Sequence, residues 1–190
     1  DSRMEQAQHR GGGGNGYLFE ISQSSEILIQ DSIGIAGRHN FIQNWGFGTT
    51  GCVFLRTDSR DGSAYINDDG DLSSVGYSEF HHSLAMANLI DSSTAEDGWK
   101  AVNRLFYSSG SGHSATENVF WNIQGSGALF SYQYGHGYVI GSSQIAVHTE
   151  VSNVYESFGT APEDFSEGIG DGNTLVPQSL YQDQLQKRLH

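Results

Sequence analysis

The feature that most constrains this chain is the interval at which short apolar bursts recur. From Tyr17 onward, strand-sized bursts lie between polar turns: YLFEI (17–21), EILIQ (26–30), NFIQNW (40–45), CVFL (52–55), LAMANLI (84–90), VFWNI (119–123), GYVIG (137–141) and QIAVHTEV (144–151). Ile29 to Phe54 is 25 residues, Ile90 to Phe120 is 30 and Phe120 to Ile140 is 20, each the length of one turn of a solenoid. Most bursts alternate poorly, as strands packed on both faces do. Several run straight into a small or polar turn (LIQDS, FIQNWG, LIDSS, FWNIQG, VIGSS). There Gly or Asn tolerates positive φ, and an inward Asn can bond its counterpart in the next coil. An antiparallel sandwich uses strands of the same length, but it needs clean alternation and NG or DG hairpin turns, which are few.

The strand-turn units ILIQDS, HNFIQNWGF, LAMANLIDSS and TENVFWNIQGSG, within residues 17–150, resemble those of the right-handed parallel β-helix proteins of the pectate-lyase-like superfamily. The expected fold is therefore all-β, a right-handed parallel β-helix. The expected organisation is a linker or N-terminal loop over 1–16, coils over 17–150, then an acidic loop and a capping helix over 151–190. In that tail, VPQSLYQDQLQKRLH predicts an amphipathic helix opened by Pro177, capped by Ser179 and covering an edge of the solenoid. Two polar stretches, 58–80 and 91–118, read as excursions from the scaffold, the usual place for binding sites. With 190 residues, one domain is expected.

Charge limits the partners. Nine Lys and Arg against 22 Asp and Glu leave a net charge of −13, with no basic stripe for nucleic acid and repulsion from anionic membrane surfaces. No apolar run is long enough to span a membrane. Cys52 is the single cysteine, so no intrachain disulfide forms, and within TTGCVFLR it reads as a small buried hydrophobe. The acidic, Gly- and Ser-rich surface fits an extracellular, cell-surface or periplasmic setting. Because β-like sequence begins almost at once after GGGGNG, the first coil is expected to be covered by another chain or by a missing N-terminal segment of the same precursor.

Candidate chemistry follows from residue types. β-Elimination of a uronate polysaccharide needs a base for the proton α to the carboxylate and a cation for the developing enolate, which selects His82, Arg104 and His113. Asp97, Trp99, Glu117, Trp121 and His136 are candidate substrate contacts: ring faces, hydrogen-bonding edges and a histidine between glycines. In NDDGDL, Asp68, Asp69 and Asp71 offer oxygen donors for Ca2+, without the downstream Glu of an EF-hand. Zinc spacing, a nucleophile elbow, a phosphate loop and a dinucleotide fingerprint are absent. Two functions fit: a carbohydrate-binding or carbohydrate-active module, lyase-like or hydrolase-like if catalytic, and a non-catalytic fibre or adhesin-like solenoid.

Overall fold

The computed structural model describes residues 1–8, 15–43, 46, 48–63, 65–66, 72–74, 76–81, 83–106, 110, 112–149 and 164–190. Strand β1 (Ser2–Glu5) is followed by coils in which the chain lays down one strand on each face in turn. The first has β2 (Tyr17–Ile21), β3 (Leu28–Gln30) and β4 (Ser32–Ile35), and the second β5 (His39–Gln43), β6 (Val53–Leu55) and β7 (Asp58–Arg60). An antiparallel pair, β8 (Tyr65–Ile66) and β9 (Leu72–Ser74), precedes the third: β10 (Ser78–Phe80), β11 (Ala85–Met86), β12 (Leu89–Asp91) and β13 (Thr94–Ala95). The fourth has β14 (Trp99–Val102), β15 (Ala115–Thr116) and β16 (Val119–Gln124), then come β17 (Ala128–Tyr132) with β18 (Tyr138–Ser143), and β19 (Ala146–His148) with β20 (Phe165–Ile169).

Two long sheets result, and all their pairings are parallel. The second sheet runs β2-β5-β10-β14-β17-β19. The first contains the row β3-β6-β12-β16-β18-β20 and, bent away from it, the row β1-β4-β7-β13-β16. This is a parallel β-helix.

The bend between the two rows is one residue wide. Asp31, Arg56, Ser92, Asn122, Gly141 and Gly168 sit at equivalent positions of successive coils with φ of 50°, 50°, 51°, 53°, 71° and 66°. A non-glycine residue there costs on the order of 1 kcal/mol, so what its side chain gains matters. Arg56 Nε donates to Asp31 Oδ1 at 2.6 Å, and Asn122 Nδ2 donates to the Gln178 carbonyl at 3.0 Å. Where the column turns to glycine at Gly141, a Cβ would lie 2.6 Å from Leu175.

Inside, Phe41, Phe54, Phe80, Trp99 and Phe120 form a shared aromatic core. Phe41, Ser78 and Trp99 stack in one inward column, and the small Ser78 lets the two rings face each other 6.2 Å apart. A buried amide ladder runs beside them. Asn88 Nδ2 donates to Asn118 Oδ1 (2.9 Å) and Asn118 Nδ2 to Gln133 Oε1 (2.9 Å). At Gly137, the next position of that column, the Gln133 carboxamide fills the space a Cβ would take. This coil-to-coil contact lies just before β12 and β16 rather than at the turns after the bursts where it was expected; Asn122, in one of those turns, donates to the tail instead.

Three details differ from the sequence reading. Ser2–Glu5, inside the expected linker, pair with Ser32–Ile35. The excursion at 91–118 shrinks, because residues 89–102 and 115–116 belong to strands and bends; what remains off the ladders carries the Leu105–Gly112 bridge. The tail helix α1 (Leu180–Leu189) is capped by Ser179 as expected, Oγ accepting from Gln182 N at 3.2 Å. Its approach, however, crosses the outer face of the first sheet: Trp121 Nε1 donates to the Pro177 carbonyl (3.0 Å), and Ser179 Oγ and Tyr181 N donate to Asp91 (2.8 and 2.7 Å). No helix among the described residues is long and apolar enough to cross a membrane.

Candidate functional site

Alternation along the second sheet decides which side chains leave it. In β10, Ser78 and Phe80 point inward, so Glu79 points out; in β14, Trp99 and Ala101 point inward, so Lys100 points out. The outward column thus stacks Glu79, Lys100, Phe130 and His148 on successive strands.

Glu79 is 3% exposed and gathers charge from three coils. Its Oε1 lies 3.2 Å from His39 Nε2 and 2.9 Å from His81 Nδ1, and Oε2 accepts from Arg104 NH2. Burial alone would raise the Glu79 carboxyl, but Arg104, His39 and His81 hold it well below the ordinary glutamate range. His39 moves down, because burial disfavours its cation more than Glu79 and the Tyr77 carbonyl favour it.

Next to this cluster Lys100 Nζ sits 4.1 Å from the Tyr77 ring centroid and 5.8 Å from that of Phe130. Burial lowers its pKa, Arg104 adds to the lowering and Glu79 opposes it. His148 stacks on Phe130 at 4.8 Å and Tyr77 meets Phe130 edge-on at 5.6 Å, so rings and cations share one face.

The candidates from sequence are dispersed. Arg104 belongs to this cluster. His113 is exposed and stacks on Tyr134 at 3.8 Å. Trp99 is 2% exposed inside the solenoid, where its indole N–H meets no acceptor among the described residues, so it presents no platform to a ligand. Asp97 accepts from Ser59 Oγ (2.6 Å), Asn40 Nδ2 (2.8 Å) and Gly62 N (3.0 Å), and burial pushes its carboxyl up to about 6 against these donors. Trp121 lies on the first sheet under the tail, while Glu117 and His136 are exposed at the turns before β16 and β18. His82 and the suggested Ca2+ ligands Asp68, Asp69 and Asp71 lie outside the described residues, as does Trp45. Among the described residues no group of three or more His, Cys, Asp or Glu is placed to hold a metal ion.

Sequence reasoning passed over Glu79, His39, His81, Lys100, Tyr77 and Phe130. The available signal was parity: Glu79 and Lys100 each stand between two inward residues, and a charge in that position on a sheet face must be solvated or paired. No protein-family model, curated protein or solved structure matches the chain.

Proposed function

We propose that the outer face of the second sheet binds an acidic, uronate-bearing polysaccharide, making the chain a carbohydrate-binding or carbohydrate-active β-helix module of the cell exterior. The observation that carries this reading is Lys100, whose ammonium lies 4.1 Å from the Tyr77 ring centroid and 5.8 Å from that of Phe130, beside the Glu79–Arg104 pair. Ring faces pack on sugar C–H groups, and a lysine with two aromatic neighbours offers a partly dehydrated charge to a carboxylate. Glu79 acts as a positioning residue, orienting Arg104 and the two histidines. If the module is catalytic, β-elimination is the chemistry that suits this face: Lys100, in its neutral form, or His81 would take the proton α to the uronate carboxylate.

The test is incubation with a panel of uronate and neutral polysaccharides, following binding and the absorbance of unsaturated product. Binding confined to uronate chains and lost in Lys100→Ala supports the reading; equal binding by Lys100→Ala, or none by the wild type, overturns it. A scaffold role is the second reading, favoured by the saturation of both Glu79 oxygens within the protein. It predicts no glycan binding and a large stability loss on disrupting Glu79.

A further inference from the structure

The outward column of the second sheet is accessible over only part of its length. At its N-terminal end Ile42, the register partner of Glu79, is fully buried, and Glu79 is 3% exposed with both carboxylate oxygens engaged by His39, His81 and Arg104. Lys100 and Phe130 are half-buried and His148 is exposed. Among the described residues β19, which carries His148, pairs only with β17 and ends the sheet. The open stretch of the column is therefore three strands wide, and β14, β17 and β19 each place one side chain in it: Lys100, Phe130 and His148.

The spacing of these three side chains limits what they can hold. Lys100 and His148 lie two strand steps apart, about 10 Å. Phe130 keeps them apart: His148 stacks on its ring with centroids 4.8 Å apart and planes at 11°, and Lys100 Nζ lies 5.8 Å from its centroid. A pyranose in an extended 1,4-linked chain advances by about one strand step, so three consecutive sugars span the stretch. In a two-fold ribbon the substituents of alternate sugars project to the same side. The carboxylates that face the sheet together are then those of the first and third sugars. One meets the Lys100 ammonium and the other a ring N–H of His148, while the middle sugar lies over Phe130, which has no group to receive a charge.

Resting on the reading of this face as a uronate-binding one, we propose that His148 is a second carboxylate contact and that the ligand is a 1,4-linked glycan with a uronate at every second residue, the sugar between being uronate or neutral. The footprint is three sugars, because the buried Ile42 and Glu79 bound it at one end and the last strand of the sheet bounds it at the other.

Calorimetric titration of the full chain with 1,4-linked oligosaccharides of defined sequence tests this. A trisaccharide with uronates at both ends should bind about tenfold tighter than one with a single terminal uronate, the worth of one hydrogen bond to a charged group. A fourth and fifth sugar should add nothing beyond the number of ways the longer chain can be placed. His148→Ala should abolish the tenfold preference while leaving the single-uronate affinity and the melting temperature unchanged, and Lys100→Ala should abolish binding of both trisaccharides. Equal affinity of the wild type for the two trisaccharides, or a preference that survives in His148→Ala, overturns the inference; if binding is still lost in Lys100→Ala, the uronate reading of the face stands without it. A wild type that binds neither trisaccharide overturns both.

Discussion

His39 Nε2 lies 3.2 Å from Glu79 Oε1, while His39 Nδ1 lies 2.5 Å from the Tyr77 carbonyl oxygen. Both ring nitrogens therefore face acceptors, and only the doubly protonated ring donates to both. Burial opposes that charge more strongly than Glu79 and the Tyr77 carbonyl favour it, so the neutral ring donates to one of the two acceptors. The pair joins the second coil to the third, and Arg104 joins the third to the fourth.

Removing Glu79 takes the shared carboxylate from Arg104 and both histidines, and removing Arg104 takes the fixed cation from a buried carboxylate and leaves it the two histidines. Arg104→Ala and Glu79→Gln should each cost about 3 kcal/mol or more, measured by urea unfolding at neutral pH. His113→Ala, at an exposed ring stacked on Tyr134, should change stability by less than about 0.5 kcal/mol. An Arg104→Ala variant as stable as the wild type would remove the structural role given to this ion pair.

Glu79 and Asp97 respond to pH in opposite directions. Glu79 is lowered in the fold, so its contribution is complete above the ordinary value of 4.5 and lost as pH falls through its depressed folded value. Asp97 is raised from 3.8 to about 6, so the folded chain binds the extra proton between those values and the Asp97 contribution is lost as pH rises through them. Asn at 97 can accept from Asn40 and Gly62 and donate to Ser59. Asp97→Asn should therefore fold and, in chemical unfolding from pH 4 to 7, flatten this component, worth up to about 3 kcal/mol. An unchanged pH profile would show that Asp97 titrates normally.

Asn118 bonds both to Asn88 and to Gln133, and its Nδ2 also reaches the Ala85 carbonyl at 2.9 Å. Asn118→Ala strands several buried polar groups and should cost about 3 kcal/mol or more. If unfolding shows less than about 1 kcal/mol, the ladder is not a source of stability.

At Trp99, the buried indole N–H, which meets no acceptor among the described residues, separates shape from polarity. Trp99→Ala should cost about 3–5 kcal/mol through the cavity it leaves. In Trp99→Phe the smaller ring still packs against Phe41 and Phe54, and relief of the buried N–H offsets part of the lost contact, so a loss below about 2 kcal/mol is expected. Equal losses in the two variants would show that the N–H has a partner after all.

The tail makes a local prediction. Asp91 is fully buried and accepts from Ser179 Oγ and Tyr181 N, so Asp91→Ala should release the first turn of α1. Hydrogen exchange of the α1 amides should then rise at least tenfold, with β16 and β18 unaffected. Unchanged exchange would mean that other contacts seat the helix.

The sequence by itself determined the solenoid, because a parallel coil must return apolar residues to the same inward column. Ile29 and Phe54 are register partners, as are Ile90 and Phe120, and Phe120 pairs with Val139, one residue before the expected Ile140. The Ser179 cap and the helix after it were legible for a similar reason, since both rest on contacts within a few residues. Tertiary structure alone decided the site. Equivalent positions on the second sheet are separated by 22, 37, 21, 30 and 18 residues, as in Tyr17 to His39, Ile42 to Glu79, Ser78 to Trp99, Trp99 to Leu129 and Ala128 to Ala146. With coil lengths so uneven, no spacing could show that His39, Glu79 and Arg104 meet. Their meeting depends on how much chain each turn absorbs before the next strand begins, and the backbone ladder settles that only when all the coils close together.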